Sequence, residues 1–293
     1  MKIYFRTHWW NDISDKIAND TKLHEAIKPN ANMHIFDSDS EIFNHFLAST
    51  KGTRGCRFNP FVEFDTDEIR QAKYFQLEAR GKIIKETKID YEMNFNELEK
   101  TVFNYTNDQI KIKILQQLYL SQISIKPYTI SCATDWLPEF ILHNTVIDIF
   151  KEAGLTGFST KTILMPNTRE AHANCCMLFS NNLMPKAELD ITTINYLQGE
   201  DGHYFRELGC LTYDLKSNDK IADFNRTAEN WSSNYCPIWI VTSVVKNIYD
   251  KNNLKGWAFR PALEKGTSLY KTYIQKWESI FQKVKCCEGN RIG

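Results

Sequence analysis

A carboxylate pair, an imidazole and a thiol lie close together along the chain at Glu200, Asp201, His203 and Cys210. Brought into contact, they would form a Cys-His-Asp nucleophile set, with the imidazole taking the thiol proton and the carboxylate orienting the ring. The competing reading is a polar loop over 198–202 that runs into a strand, since closeness along the chain does not supply triad geometry. A second cluster, Asp223-Phe224-Asn225-Arg226 followed by Glu229, offers several polar side chains to a substrate. A helix cap or a salt-bridged turn accounts for it equally well.

Other catalytic signatures are missing. None of the 7 histidines has a second histidine four residues on, as the helical metalloprotease motif requires. Gly-X-Gly-X-X-Gly, Gly-X4-Gly-Lys-Ser/Thr and Gly-X-Ser-X-Gly do not occur, so nucleotide loops and the serine-hydrolase elbow are not expected. The 8 cysteines include no Cys-X-X-Cys, and the adjacent pairs Cys175-Cys176 and Cys286-Cys287 are not a zinc-ligand spacing. The expectation is therefore reduced thiols, no metal, no cofactor and no catalytic residue.

Lys+Arg and Asp+Glu are both 36, so the formal charge is zero. Phosphate-binding proteins show a basic excess, and nucleic acid is not an expected partner. No apolar run approaches the roughly 20 residues that span a bilayer, and the start, MKIYFRTHWWND, does not read as an export signal. These features predict a cytoplasmic protein without a membrane partner. The 293 residues suit one large or two modest domains.

The pattern reads as α+β, with mixed or antiparallel sheets and packed amphipathic helices. Strands are expected at 2–6, 61–64, 74–79 and 82–91, the last two joined by a hairpin turn at Arg80-Gly81. Helices are expected over 13–27 and at Asp39-Ser40-Glu41, where Ile42, Phe43, Phe46 and Leu47 follow as the apolar face of a capped amphipathic helix. Residues 108–120 fit either period, and Leu115-Gln116-Gln117-Leu118 favours a helix. Leu269, Tyr270, Tyr273, Ile274, Trp277, Ile280, Phe281 and Val284 form one broad apolar face, predicting a helix over 268–285 whose aromatics are core. A soft boundary falls at 127, giving an N-terminal region 1–127 and a C-terminal region 128–293.

The C-terminal region repeats itself at a constant offset of 99 residues, from Pro138 to Pro237. Leu142, Val146, Ile149 and Phe150 match Val241, Val245, Ile248 and Tyr249, one helical face in each copy. Leu155-Thr156-Gly157-Phe158 matches Leu254-Lys255-Gly256-Trp257. The two units, about 136–165 and 235–264, are predicted to share one local structure of short entry strand, helix, turn and strand. Asn144 and Ser243 are the expected N-caps, and Gly157 and Gly256 the special backbone positions.

These Leu-X-Gly-aromatic segments, the second continuing as Ala258-Phe259-Arg260-Pro261, resemble those of bacterial immunity proteins that accompany polymorphic toxins. The resemblance covers roughly the C-terminal half. Some relatives carry paired Cys-X-X-Cys-Gly motifs that this chain lacks. It implies a cytoplasmic protein that binds and neutralises a cognate toxin, with no catalytic residues to carry over. Binding of that kind needs aromatic anchors and a charged rim, for which Trp9, Trp10 and Trp231 with Glu200 and Asp201 are the loop-placed candidates. The alternatives are an enzyme using His203 and Cys210 or the Asp223–Arg226 cluster, and a structural or regulatory partner in a larger assembly.

Overall fold

The computed structural model describes residues 1–28, 31–53, 55–80, 104–106, 109–111, 125–132, 140–165, 168–188, 196–199, 202–205, 209–231 and 237–285. The class is α+β, with mixed and antiparallel sheets.

The chain opens with β1 (Lys2–Trp9), α1 (Asn11–Asn19), α2 (Thr21–Ala26), β2 (Met33–Asp37), α3 (Glu41–Thr50) and β3 (Cys56–Glu63). The helix expected over 13–27 is two helices, because Asp20 leaves helical geometry to cap the second. Its carboxylate accepts from the Leu23 N–H at 3.1 Å and from Ser49 Oγ at 3.0 Å, and it pairs with His45 Nε2 at 2.9 Å. Ser40 caps α3 as expected, accepting from the Phe43 N–H. The strands pair antiparallel in the order β2-β1-β3, and one face packs on the helices through Phe5, Phe36, Phe43 and Phe46.

Next come α4 (Thr66–Gln71), β4 (Tyr74–Ala79), β5 (Asn104–Thr106), β6 (Gln109–Lys111) and β7 (Ile130–Cys132). The strand expected at 82–91 lies outside the described residues. The first of the two units supplies β8 (Phe140–His143), α5 (Asn144–Glu152) and β9 (Ser159–Leu164), with β10 (Ala171–Phe179) after it. The chain continues through β11 (Tyr196–Gly199), β12 (Gly202–Phe205), β13 (Thr212–Tyr213), β14 (Phe224–Arg226) and β15 (Asn230–Trp231). The second unit is β16 (Trp239–Thr242), α6 (Ser243–Lys251) and β17 (Trp257–Glu264), before the closing α7 (Ser268–Lys285).

The two units share local structure as their spacing predicts. Both helices close in the same way. The Leu155 N–H donates to the Phe150 carbonyl and the Leu254 N–H to the Tyr249 carbonyl, each at 3.1 Å, past a left-handed residue, Gly154 or Asn253. That is a Schellman closure with its apolar contact between the residue after the turn and the last helical turn. The caps at the other end are not Asn144 and Ser243, which are the first helical residues. His143 and Thr242 occupy the cap positions, and the His143 ring accepts from the Thr145 N–H.

The equivalence extends to the sheets. The strand orders are β7-β8-β10-β9 and β14-β16-β4-β17, the latter with β13 beyond β17. In each, the entry and exit strands flank a middle strand antiparallel to both. Leu142 lies between Ile130 and Cys176, and its counterpart Val241 lies between Phe224 and Phe75. Lys161 pairs with Met177, and Arg260 pairs with Gln76, the strand neighbour of Phe75 as Met177 is of Cys176.

The second sheet takes its middle strand, β4, from the N-terminal region. The boundary expected at 127 therefore does not divide the sheets, because β4 and its partners β16 and β17 lie on opposite sides of it. Helix α7 also crosses it, stacking Trp277 on Phe5 with ring centroids 6.5 Å apart.

The units clasp each other by their turns. Ile130 donates its N–H to the Lys255 carbonyl at 2.8 Å, and Phe224 donates to the Thr156 carbonyl at 3.1 Å. Ile130 and Phe224 hold matching places on β7 and β14, and Lys255 and Thr156 match at the 99-residue offset. The core between them is aromatic: Phe150 stacks on Trp257 at 5.9 Å, and Phe224 lies 5.4 Å from Phe150 and 6.3 Å from Trp239.

Candidate functional site

Cys210 precedes β13 and is 1% exposed. Its Sγ donates to the Pro261 carbonyl at 3.1 Å, and burial pushes the thiol up to about 12. A nucleophile must be a thiolate, and this environment holds the proton on sulfur. His203 sits in β12 opposite Gln198. Glu200 and Asp201 lie outside the described residues.

A thiol and an imidazole do meet elsewhere. His172 and Cys175 on β10 are both buried, with Sγ 3.1 Å from Nδ1. In a regular strand, residues three apart face opposite sides. The register shift between Ala171 and Cys176 brings these two together. Burial pushes the Cys175 thiol up to about 12 and the His172 imidazole below its ordinary value, so both are neutral near pH 7. The pair is a hydrogen bond inside the core and not a thiolate–imidazolium couple.

The Asp223–Arg226 cluster is spent on the joint between the two units. Asp223 accepts from the Thr156 N–H at 2.8 Å, from Thr156 Oγ1 at 2.9 Å and from Thr242 Oγ1 at 2.7 Å. It thereby ties the first unit's turn to the cap of α6. Asn225 is buried on β14, donates to the Ala222 carbonyl and accepts from the Ala222 N–H. Arg226 is fully buried, with its guanidinium 3.6 Å from the Trp239 ring centroid and an Nη1 donation to the Pro237 carbonyl. Desolvated stacking of that kind is worth about 2 kcal/mol, and the cation needs it to tolerate burial.

Glu229 is 7% exposed and accepts from the Ala187 N–H at 2.7 Å. Its second carboxyl oxygen has no hydrogen-bond partner among the described residues. Burial pushes the acid up to about 7. Two buried phenols, Tyr213 and Tyr273, are also pushed up by burial.

Among the described residues, no three His, Cys, Asp or Glu side chains converge where a metal ion would sit. Of the five described cysteines, Cys56, Cys132, Cys175 and Cys210 are buried and Cys176 is partly exposed. Of these five, Cys176 is expected to react first with a thiol reagent under native conditions. Cys56, Cys132, Cys175 and Cys210 should become reactive only on unfolding, as mass spectrometry of alkylated peptides would read. Rapid native labelling of Cys210 would contradict its burial.

The binding candidates separate sharply. Trp9 is not in a loop: it ends β1, is 3% exposed and packs on Phe46 at 5.7 Å. Burial in the core removes it as an anchor. Trp10, the next residue, is 58% exposed. Trp231 ends β15, opposite Phe205. Sequence reasoning missed Met33 and Ile35, which β2 exposes at 39% and 45%. Alternation over 33–37 puts Met33 and Ile35 on one face, but their apolar types gave no sign that this face is the exposed one. No helix among the described residues is long and apolar enough to cross a membrane. No protein-family model matches this chain, and no curated protein matches it in sequence.

Proposed function

We propose that this chain is a protein-binding protein that neutralises a cognate bacterial toxin in the cytoplasm by stoichiometric contact. One observation carries the reading. Three side chains that the enzymatic reading would use are committed to the scaffold: the Cys210 thiol is buried on Pro261, Asp223 joins the two units, and Arg226 is sealed over Trp239. Among the described residues, the large aromatics left to solvent are Trp10 and Tyr128. Tryptophan and tyrosine are enriched among the residues that carry most of the binding energy at protein interfaces. An acidic rim at Glu200 and Asp201 would suit a basic partner such as a nuclease domain, because complementary charge speeds encounter.

The test is co-expression with the toxin candidate encoded beside this chain, reading cell survival and recovery of a complex. Trp10→Ala is expected to weaken the complex by at least about 2 kcal/mol, roughly 30-fold in Kd, with the fold unchanged. Charge reversal at Glu200 and Asp201 should slow association. Cys210→Ser and His203→Ala should protect as well as the parent. Loss of protection in either, with the fold and the complex intact, would replace this reading with an enzymatic one.

A further inference from the structure

The N-terminal sheet has two edges, and they are built differently. Trp9 donates its N–H to the Asn32 carbonyl at 3.0 Å, and Ser38 donates to the Ile3 carbonyl at 2.9 Å. Antiparallel pairs alternate, so His34 and Phe36 also turn their backbone groups toward β1. Met33, Ile35 and Asp37 therefore turn their N–H and C=O groups outward. The Asp37 carbonyl accepts from the Ser40 N–H and Oγ. The outward groups of Met33 and Ile35 have no backbone partner among the described residues.

The same alternation carried across β1 leaves Pro60 of β3 facing its own free edge. A proline there has no N–H to offer and blocks strand addition. One edge is thus guarded. The other reads Met-His-Ile-Phe-Asp, with no proline, no lysine and no bulge, and it exposes two aliphatic side chains. Sheet edges left in this state are strand-pairing sites.

We propose that β2 pairs with β2 of a second copy of this chain, antiparallel and centred on Ile35. The occupant follows from self-complementarity. A two-fold axis at Ile35 lays outward residue on outward residue, Ile35 on Ile35 and Met33 on Asp37. The two Ile35 residues exchange both backbone bonds, and each Asp37 N–H donates to the Met33 carbonyl of the other copy. On the solvent face the two Ile35 side chains meet at the centre of the seam. The result is a continuous sheet in the order β3-β1-β2-β2-β1-β3, which ends at both sides on a strand guarded by Pro60. This closed, isologous arrangement cannot propagate into a fibre. One strand pair buries less than the roughly 1,200 Å² of a stable interface. The dimer is consequently weak, with a Kd on the order of 100 µM, and forms only at high protein concentration.

Sedimentation equilibrium of the full chain from about 5 to 500 µM tests this range. The mean mass should rise from 34.3 kDa toward twice that value. Ile35→Lys places two like charges opposite each other on the axis and should leave a monomer throughout, whereas Ile35→Val should still associate. Circular dichroism checks that the variants fold. Hydrogen exchange on the unmodified chain gives an independent readout, with the Ile35 amide slowing at least several-fold as concentration rises. A monomer at every concentration overturns the proposal. So does a dimer that survives Ile35→Lys in a folded chain, or one that forms without slowing the Ile35 amide.

Discussion

Gly256→Ala should lower the stability of the whole fold by about 3 kcal/mol or more. The backbone at Gly256 has φ of +115°, a conformation that costs a side-chain-bearing residue about 1–3 kcal/mol. A Cβ there would overlap the carbonyl oxygen of Ile130, which belongs to β7 and cannot swing away like a side chain. Gly157 is its counterpart, with φ of +82° and a Cβ position that meets Ala222 and the Phe224 carbonyl on β14. Gly157→Ala should be nearly as costly. Gly52 and Gly266 provide the control: both have positive φ, at +74° and +86°, but no atom lies within 4 Å of an added Cβ. Alanine at either should cost only backbone strain, about 1 kcal/mol. Urea unfolding of the four variants separates the contributions. If Gly256→Ala costs no more than Gly266→Ala, the turn of one unit does not press on the outer strand of the other.

That clasp marks where the sequence was informative. The 99-residue offset was readable because a helix face, a Schellman turn and a positive-φ glycine each demand particular residue types at fixed spacing. The middle strand of the second sheet was not readable. Tyr74–Ala79 was recognisable as a strand by its own alternation, but nothing local says that Phe75 will lie between Val241 and Pro261. Pairing between distant strands is fixed by packing of the whole core, which one sequence does not display. The same limit made 127 look like a boundary.

The site residues divide on a similar line. Trp9 and Trp10 are adjacent, and a strand sends neighbours to opposite faces, so only one could be exposed. Extending the strand expected at 2–6 by three residues would have made that choice. The burial of Asn225, Arg226 and Glu229 is a different matter. Polar residues in a row read as surface, and here they are interior because the segment 182–187 runs along them, bonding Arg226 and Glu229. The bulge that joins His172 to Cys175 also has no signature in composition or spacing.

Glu229 should make the protein less stable as pH rises through neutrality, and Glu229→Gln should remove that loss. The acid's ordinary value is 4.5, and burial raises it to about 7 in the fold. A raised folded value means that the native state holds its proton more tightly than the unfolded chain. Its contribution is present in full below 4.5 and is lost progressively as pH climbs from 4.5 through about 7. At about 1.4 kcal/mol for each pH unit, the loss is about 3 kcal/mol at pH 8. The Ala187 N–H and the Lys186 charge oppose the rise, and desolvation outweighs them. Glutamine keeps an acceptor for Ala187 and carries no charge at any pH. The variant should match the parent near pH 4 and exceed it by about 3 kcal/mol at pH 8. Asp20, Asp65 and Asp214, all held below their ordinary values, have the opposite sign and weaken both proteins at acid pH. Their contribution cancels in the difference between variant and parent, which is the quantity to measure by urea denaturation from pH 4 to pH 8. A difference that does not change across that range would mean that Glu229 is ionised within the fold, and that the interior beside Tyr213 and Ala187 admits solvent.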